Sequence, residues 1–302
     1  MPSLTARGIR RLARTLIKTK TGEPDQVVRH LRRIIERAPA LSRMPSGVVN
    51  RPLDPDELPG VAGEWVGVAA ATRTLLHHHG GAYVSGRPAT QRNLAGHLAH
   101  GLRANVLLAA YRLAPEHPHP AALQDGLANY RALIQRFDPS TVALTGDSAG
   151  GGLTLALLQH ARDEGLPLPA GAVLLSPWAD LTEEAPSRST NDQADDMLSR
   201  ATLKGAASAY LAGADPRQPS ASPVLGDLAG LPPLLVSVDE SEILLDDATR
   251  IVEGAVAAGG QATLIRRSGL FHEWPTLVPS LPEACETVEE IVAFLDERLA
   301  RS

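Results

Sequence analysis

The residues with most chemical promise lie in Thr141-Val-Ala-Leu-Thr-Gly-Asp-Ser-Ala-Gly-Gly152, where an apolar strand pattern runs into Gly-X-Ser-X-Gly and on into a helical pattern from Leu153 to His160. In that setting Ser148 occupies a sharp strand-to-helix turn, a nucleophile elbow, and Gly146 and Gly150 leave the chain room to close around it. The bare pattern is weak in a chain with 26 glycines, so its flanks and partners must carry the reading. A hydroxyl becomes a competent nucleophile when a base takes its proton, and the base needs an acid to orient it. On a sheet of this kind they follow in the order serine, acid, histidine.

Both partners are available. Pro232-Pro-Leu-Leu-Val-Ser-Val238 reads as a buried strand and is followed by the acidic loop Asp239-Glu-Ser-Glu242, which offers Asp239, Glu240 and Glu242. Another strand pattern, Gln261 to Arg266, leads into Ser268-Gly-Leu-Phe-His-Glu-Trp274, whose His272 is the only histidine beyond residue 160. His272 is therefore the expected base. Attack also needs backbone N–H donors for the charge that develops on the carbonyl oxygen. A strand pattern from Thr72 to His77 runs into His78-His-Gly-Gly-Ala-Tyr83, where small residues let backbone approach a ligand; the amides of Gly81, Ala82 and Ala149 are the expected oxyanion donors.

These loops need a frame. Strand patterns near 64–68, 73–78, 104–110, 141–146, 171–176, 233–238 and 261–266 alternate with helical patterns near 88–101, 120–136, 150–165, 242–258 and 282–299. Such alternation predicts a mainly parallel sheet covered by helices on both faces, with the reactive loops at the carboxyl ends of the strands. The segment 182–221 interrupts the alternation, polar and acidic first and helical from Leu198 to Leu211, and reads as part of a cap. Tyr83 and Trp178 are candidate walls of an apolar pocket between cap and core. The strand at 261–266 would be outermost, and an open edge that can pair with its symmetry mate points to a homodimer.

Composition narrows the class. At 302 residues, 43% hydrophobic and net charge −5, the chain is long enough for one large α/β domain with an appended subdomain. Cys285 is the only cysteine, so no intrachain disulfide forms, and no apolar run is long enough to span a bilayer. A cytoplasmic location is expected, with no cofactor, metal or nucleic-acid partner and no stable membrane insertion. Charge is uneven: residues 1–43 hold 11 Arg and Lys against 3 acids. Ile9, Leu12, Leu16 and Ile17 share one helical face, as do Val27, Leu31, Ile34 and Ile35. These two basic amphipathic helices suit a membrane-surface anchor, a transit peptide or a cap over the active site with a solvated basic face.

The chain resembles the hormone-sensitive-lipase-like (bacterial family IV) carboxylesterases of the α/β-hydrolase fold. The resemblance rests on His79-Gly-Gly-Ala-Tyr83, Tyr111-Arg-Leu-Ala-Pro-Glu-His-Pro118, Gly146-Asp-Ser-Ala-Gly150, Ser176-Pro-Trp-Ala-Asp-Leu181 and Leu231-Pro-Pro-Leu-Leu235, and runs from about Trp65 to the C-terminus. It implies an eight-stranded, mostly parallel sheet with a helical cap. Residues 1–50 would then be N-terminal cap helices, completed by roughly 182–221, over a core of 51–181 and 222–302. Ala82 replaces the family's commonest third glycine, which a backbone donor tolerates. Laying the family's Asp-Pro-Leu-X-Asp over Glu242-Ile-Leu-Leu-Asp246 puts the acid at Glu242, with Asp239 and then Glu240 in reserve. The implied activity is hydrolysis of short- to medium-chain acyl esters through an acyl-enzyme. Rivals are an amide, formamide or thioester hydrolase on the same site, or a ligand-binding homologue without catalysis.

Other residues invite weaker readings. His77, His78 and His79 alternate across a strand and have no acidic or cysteine partner nearby in sequence, which argues against metal binding. Asp147 and Asp180 are expected to organise loops through hydrogen bonds.

Overall fold

The computed structural model describes residues 2–19, 21–35 and 43–300. Its single sheet contains β1 (Val48–Pro52), β2 (Gly63–Val68), β3 (Arg73–His78), β4 (Ala104–Ala109), β5 (Val142–Asp147), β6 (Gly171–Leu175), β7 (Leu234–Asp239) and β8 (Ala262–Arg267), in the order β1-β2-β4-β3-β5-β6-β7-β8. The pairs β1/β2 and β2/β4 are antiparallel and all others parallel. Successive strand residues face opposite sides, so each strand feeds two cores. Leu75, Ala143, Val173 and Leu235 pack under α3 (Arg92–Leu102) and α9 (Pro282–Asp296), joined by Ala6 of α1 (Leu4–Leu16). Leu76, Leu144, Leu174 and Val236 pack under α4 (Ala121–Arg136), α5 (Ala149–Asp163) and α8 (Leu245–Ala257). The second core extends to α2 (Pro24–Ile35) and α7 (Arg200–Leu211); the short α6 (Ser187–Thr190) precedes α7 in the chain. Burial on both faces explains why β6 and β7 read as nearly continuous apolar runs, while β3 and β5 carry buried polar residues, His77, His78 and Asp147, at their carboxyl ends.

The sequence reading missed β1. Val48–Pro52 pairs with β2 where a boundary at residue 50 was expected, so residues 48–50 belong to the sheet. An outer strand tolerates Pro52 because it needs no ladder bond on its free side, and this hides the strand in the sequence.

Helix α1 is also turned differently from a simple apolar-face-inward reading. Its inward side is Ala6 and Ala13 with Ile9, whereas Leu12 and Leu16 are exposed. Small residues let α1 lie close to the body. Its rotation is fixed by Arg10 and Arg14, which both bind the buried Asp196, the latter at 2.6 Å, and by Lys18 Nζ donating to Asp195 O at 2.7 Å.

Candidate active site

Ser148 follows β5 directly and caps α5 with φ +51° and ψ −119°, a sparsely populated backbone conformation for a non-glycine residue. The flanking glycines are required sterically. A Cβ on Gly146 would lie 2.2 Å from Gly150 O, and one on Gly150 would lie 2.0 Å from His78 O. The turn is pinned by Ser148 N donating to Leu175 O (2.8 Å) and Trp178 N donating to Ser148 O (2.9 Å).

The loop after β8 brings His272 to this serine across 124 residues of chain, with Nε2 3.0 Å from Ser148 Oγ. On its other side Nδ1 lies 2.7 Å from Glu242 Oε2. Glu242 precedes α8 in a turn, and its Oε1 accepts from Asp239 N (2.7 Å) and from Ser176 Oγ (2.8 Å). Burial pushes the Glu242 carboxyl up while the bond from His272 pulls it down. Its three donors suit a carboxylate. Burial alone would lower His272, but the carboxyl of Glu273 and the bond to Glu242 outweigh it and take the imidazole to about 9. Asp239, the reserve acid, does not touch the imidazole; it accepts from Ser241 N (3.0 Å) and Leu270 N (2.8 Å) and so joins two loops. Glu240 pairs with Arg266 at the surface.

Parallel pairing of His78 with Gly146 sets the loop after β3 beside the serine turn. Gly81, Ala82 and Tyr83 have φ of +120°, +57° and +62°. Among the described residues the N–H groups of Gly81 and Ala82 meet no protein acceptor, and Ala149 opens α5, where helix geometry leaves its N–H free. A Cβ on Gly81 would lie 2.1 Å from Ser85 O, so glycine is needed there, whereas Ala82 keeps its methyl. Asp147, next to the serine, holds this loop: Oδ2 accepts from Gly80 N (2.7 Å) and Gln91 Nε2 (3.0 Å), and Oδ1 lies 2.9 Å from His77 Nε2. His77 and His78 are thus engaged within the fold, His78 through Thr154 Oγ1 at 3.0 Å, and His79 stacks on Tyr111 with ring centroids 4.4 Å apart.

Several residues of this network were given no part in the site by the sequence reading. Ser176 bonds Glu242 and also accepts Glu273 N at 3.2 Å. Asp195 accepts Ile243 N at 2.9 Å, and Asn191 Nδ2 donates to Glu242 O at 2.8 Å, so the loop carrying Glu242 is clasped from segment 182–221. Glu273 Oε1 lies 3.5 Å from His272 Nε2, and the carboxyl hydrogen-bonds Asp147. Ser176 and Glu273 lie inside stretches already singled out, Ser176–Leu181 and Ser268–Trp274, whereas nothing local marks Asn191 and Asp195 for this site. Tyr83 and Trp178 are both buried with ring centroids 6.1 Å apart, and Tyr83 stacks on Tyr210 of α7 at 4.0 Å, where the core meets the segment 182–221.

A family model described as the alpha/beta hydrolase fold matches residues 75–276. An acetyl-hydrolase of Streptomyces hygroscopicus is 47% identical over 234 residues, covering 77% of this chain and 78% of that protein. An esterase of Acinetobacter venetianus is 36% identical over 243 residues, with 80% of each chain covered. Among solved structures, EstE5 soaked with p-nitrophenyl butyrate superposes with a TM-score of 0.88 at 36% identity, covering 99% of this chain and 100% of that one. An esterase of the bacterial hormone-sensitive lipase family gives 0.87 at 36% identity over 99% and 100% of the two chains.

Proposed function

We propose, for a chain that belongs to the α/β-hydrolase fold family and within it to the hormone-sensitive-lipase-like carboxylesterases, that it hydrolyses short- to medium-chain acyl esters through Ser148, His272 and Glu242. The observation that carries this reading is the unbroken contact from Glu242 Oε2 to His272 Nδ1 (2.7 Å) and from His272 Nε2 to Ser148 Oγ (3.0 Å). Neutral His272 takes the serine proton as Oγ attacks the ester carbonyl. Glu242 fixes the imidazole tautomer and stabilises the imidazolium. The oxyanion takes the N–H groups of Gly81, Ala82 and Ala149. His272 then protonates the departing alcohol, and water, deprotonated by the same imidazole, cleaves the acyl-serine.

In this reading α1, α2 and the segment 182–221 form the cap. Support comes from α2 packing on α7 and from Arg32, whose guanidinium donates to Val84 O (2.8 Å) and Ala114 O (3.0 Å) beside the oxyanion loop. The free edge of β8 is where a homodimer would form.

The test is a p-nitrophenyl ester series from acetate to decanoate on wild type and Ser148→Ala. Wild type should turn over the shorter esters and be labelled by an organophosphate ester, and the variant should do neither while keeping its melting temperature. Undiminished turnover by Ser148→Ala would end the proposal.

A further inference from the structure

Three of the largest exposed apolar side chains lie on one helix: Leu4, Leu12 and Leu16 of α1 are 83%, 59% and 58% exposed. With Gly8 they recur every four residues, a stripe along one face. The stripe is open at Gly8, where a Cβ would meet nothing within 4 Å. The opposite side of α1 is fixed to the body by Ala6, Ala13 and the ion pairs to Asp196, so the leucines are held outward.

Basic groups border the stripe. Arg7 and Arg11 are exposed and form no ion pair among the described residues. Thr19, three residues past Leu16, begins a groove of about 540 Å³ lined by Thr19, Thr21, Gln26, Arg29, His30 and Arg33. Arg29 and Arg33 are exposed and likewise make no ion pair among the described residues. His30 ties the groove to α1 through Nε2, 2.7 Å from Ile17 O.

We propose that this face of α1 and α2 docks the protein on an anionic lipid bilayer, the leucine stripe entering the headgroup–acyl boundary and the Arg29/Arg33 groove taking a lipid phosphate. A convex helix face with leucines outward and arginines alongside fits a soft, negatively charged surface, into which apolar side chains sink while guanidinium groups reach back to phosphates. Charge complementarity selects the partner: the arginine-rich N-terminal segment meets anionic headgroups, while the rest of the chain carries 18 Arg and Lys against 31 acids and is repelled by them. Docking is peripheral, since no described helix is long and apolar enough to cross a membrane. The proposal stands apart from the ester chemistry.

Co-sedimentation of the full chain with vesicles tests it, using Ser148→Ala so that lipid is not consumed. Binding to phosphatidylglycerol/phosphatidylcholine vesicles should exceed binding to pure phosphatidylcholine at least tenfold, and should fall steeply at about 0.5 M salt. Leu12→Ser/Leu16→Ser should weaken it about tenfold or more. Arg29→Glu/Arg33→Glu should weaken it by about fivefold or more per residue. Both variants should keep the wild-type melting temperature, and, with Ser148 restored, turnover of a soluble ester. Absence of binding to anionic vesicles overturns the proposal. So does wild-type binding by the leucine variant, which would mark a purely charge-driven contact such as an acidic protein. Wild type inert toward soluble esters would sink the esterase reading alone.

Discussion

The hydroxyl of Ser176 donates to Glu242 Oε1 at 2.8 Å, across 66 residues of chain, and accepts the backbone N–H of Glu273 at 3.2 Å. One buried side chain thereby fixes both the carboxyl that faces the imidazole and the loop that carries the imidazole. A hydrogen bond to a charged group contributes about 1.5–3 kcal/mol, so Ser176→Ala should lower kcat by roughly ten- to a hundredfold with KM nearly unchanged. Steady-state kinetics on p-nitrophenyl butyrate would show it; an unchanged kcat would leave Ser176 a packing residue.

The two candidate acids separate by geometry. Glu242 contacts His272 Nδ1, whereas Asp239 bonds the backbone of Ser241 and Leu270. Glu242→Gln should reduce kcat by about 10⁴ by favouring the wrong tautomer. Asp239→Asn should act mainly on stability, with kcat within about tenfold of wild type. A pair of kcat and melting measurements decides, and the reverse pattern would move the acid to Asp239.

Adjacent positions in the oxyanion loop should respond oppositely. Gly81→Ala forces a Cβ against Ser85 O at φ +120°, displacing the donor, and should reduce kcat by about 10²–10³. Ala82→Gly relieves a left-handed alanine at φ +57° and should stay within about 1 kcal/mol of wild-type stability with activity kept. Equal losses in both would indicate that the loop is not the oxyanion site.

Glu273 should govern the pH profile. Its carboxyl lies 3.5 Å from His272 Nε2 and is the largest influence raising that imidazole. Burial and the neighbouring Asp147 carboxyl push the Glu273 carboxyl itself well up. A base with a raised pKa is neutral only above it, so turnover is lost as pH falls through that value. Glu273→Gln removes the ionisable carboxyl that favours the imidazolium and should move the acid limb of kcat/KM to lower pH. Superimposable profiles would contradict this.

Arg188 is fully buried, bonds Asp247 Oδ1 at 2.7 Å and donates to Ile243 O at 2.6 Å, one residue from Glu242. Arg188→Met strands the Asp247 carboxylate and should destabilise the protein by about 3–5 kcal/mol in denaturant unfolding. The double variant Arg188→Met/Asp247→Leu should recover only part of that loss, because Asp247 Oδ2 also accepts the buried N–H groups of Ala179 (2.8 Å) and Asp180 (2.9 Å).

Local pattern carried much of this molecule in its sequence. The strand-turn-helix around Ser148, the glycines that clear its turn and the alternation that builds a parallel sheet are all written in residues a few positions apart, where backbone sterics and side-chain periodicity act directly. A lone histidine late in the chain pointed to His272 by elimination. What tertiary structure decided are choices among neighbours of the same type: which carboxyl of Asp239, Glu240 and Glu242 faces the imidazole, which serine steadies it, which side of α1 turns outward. Such choices depend on contacts between residues 30 to 186 positions apart, as in Glu242 with His272, His272 with Ser148 and Arg10 with Asp196. A shift of one residue in a loop redirects a side chain by several ångströms, and only the packed sheet and helices set that register.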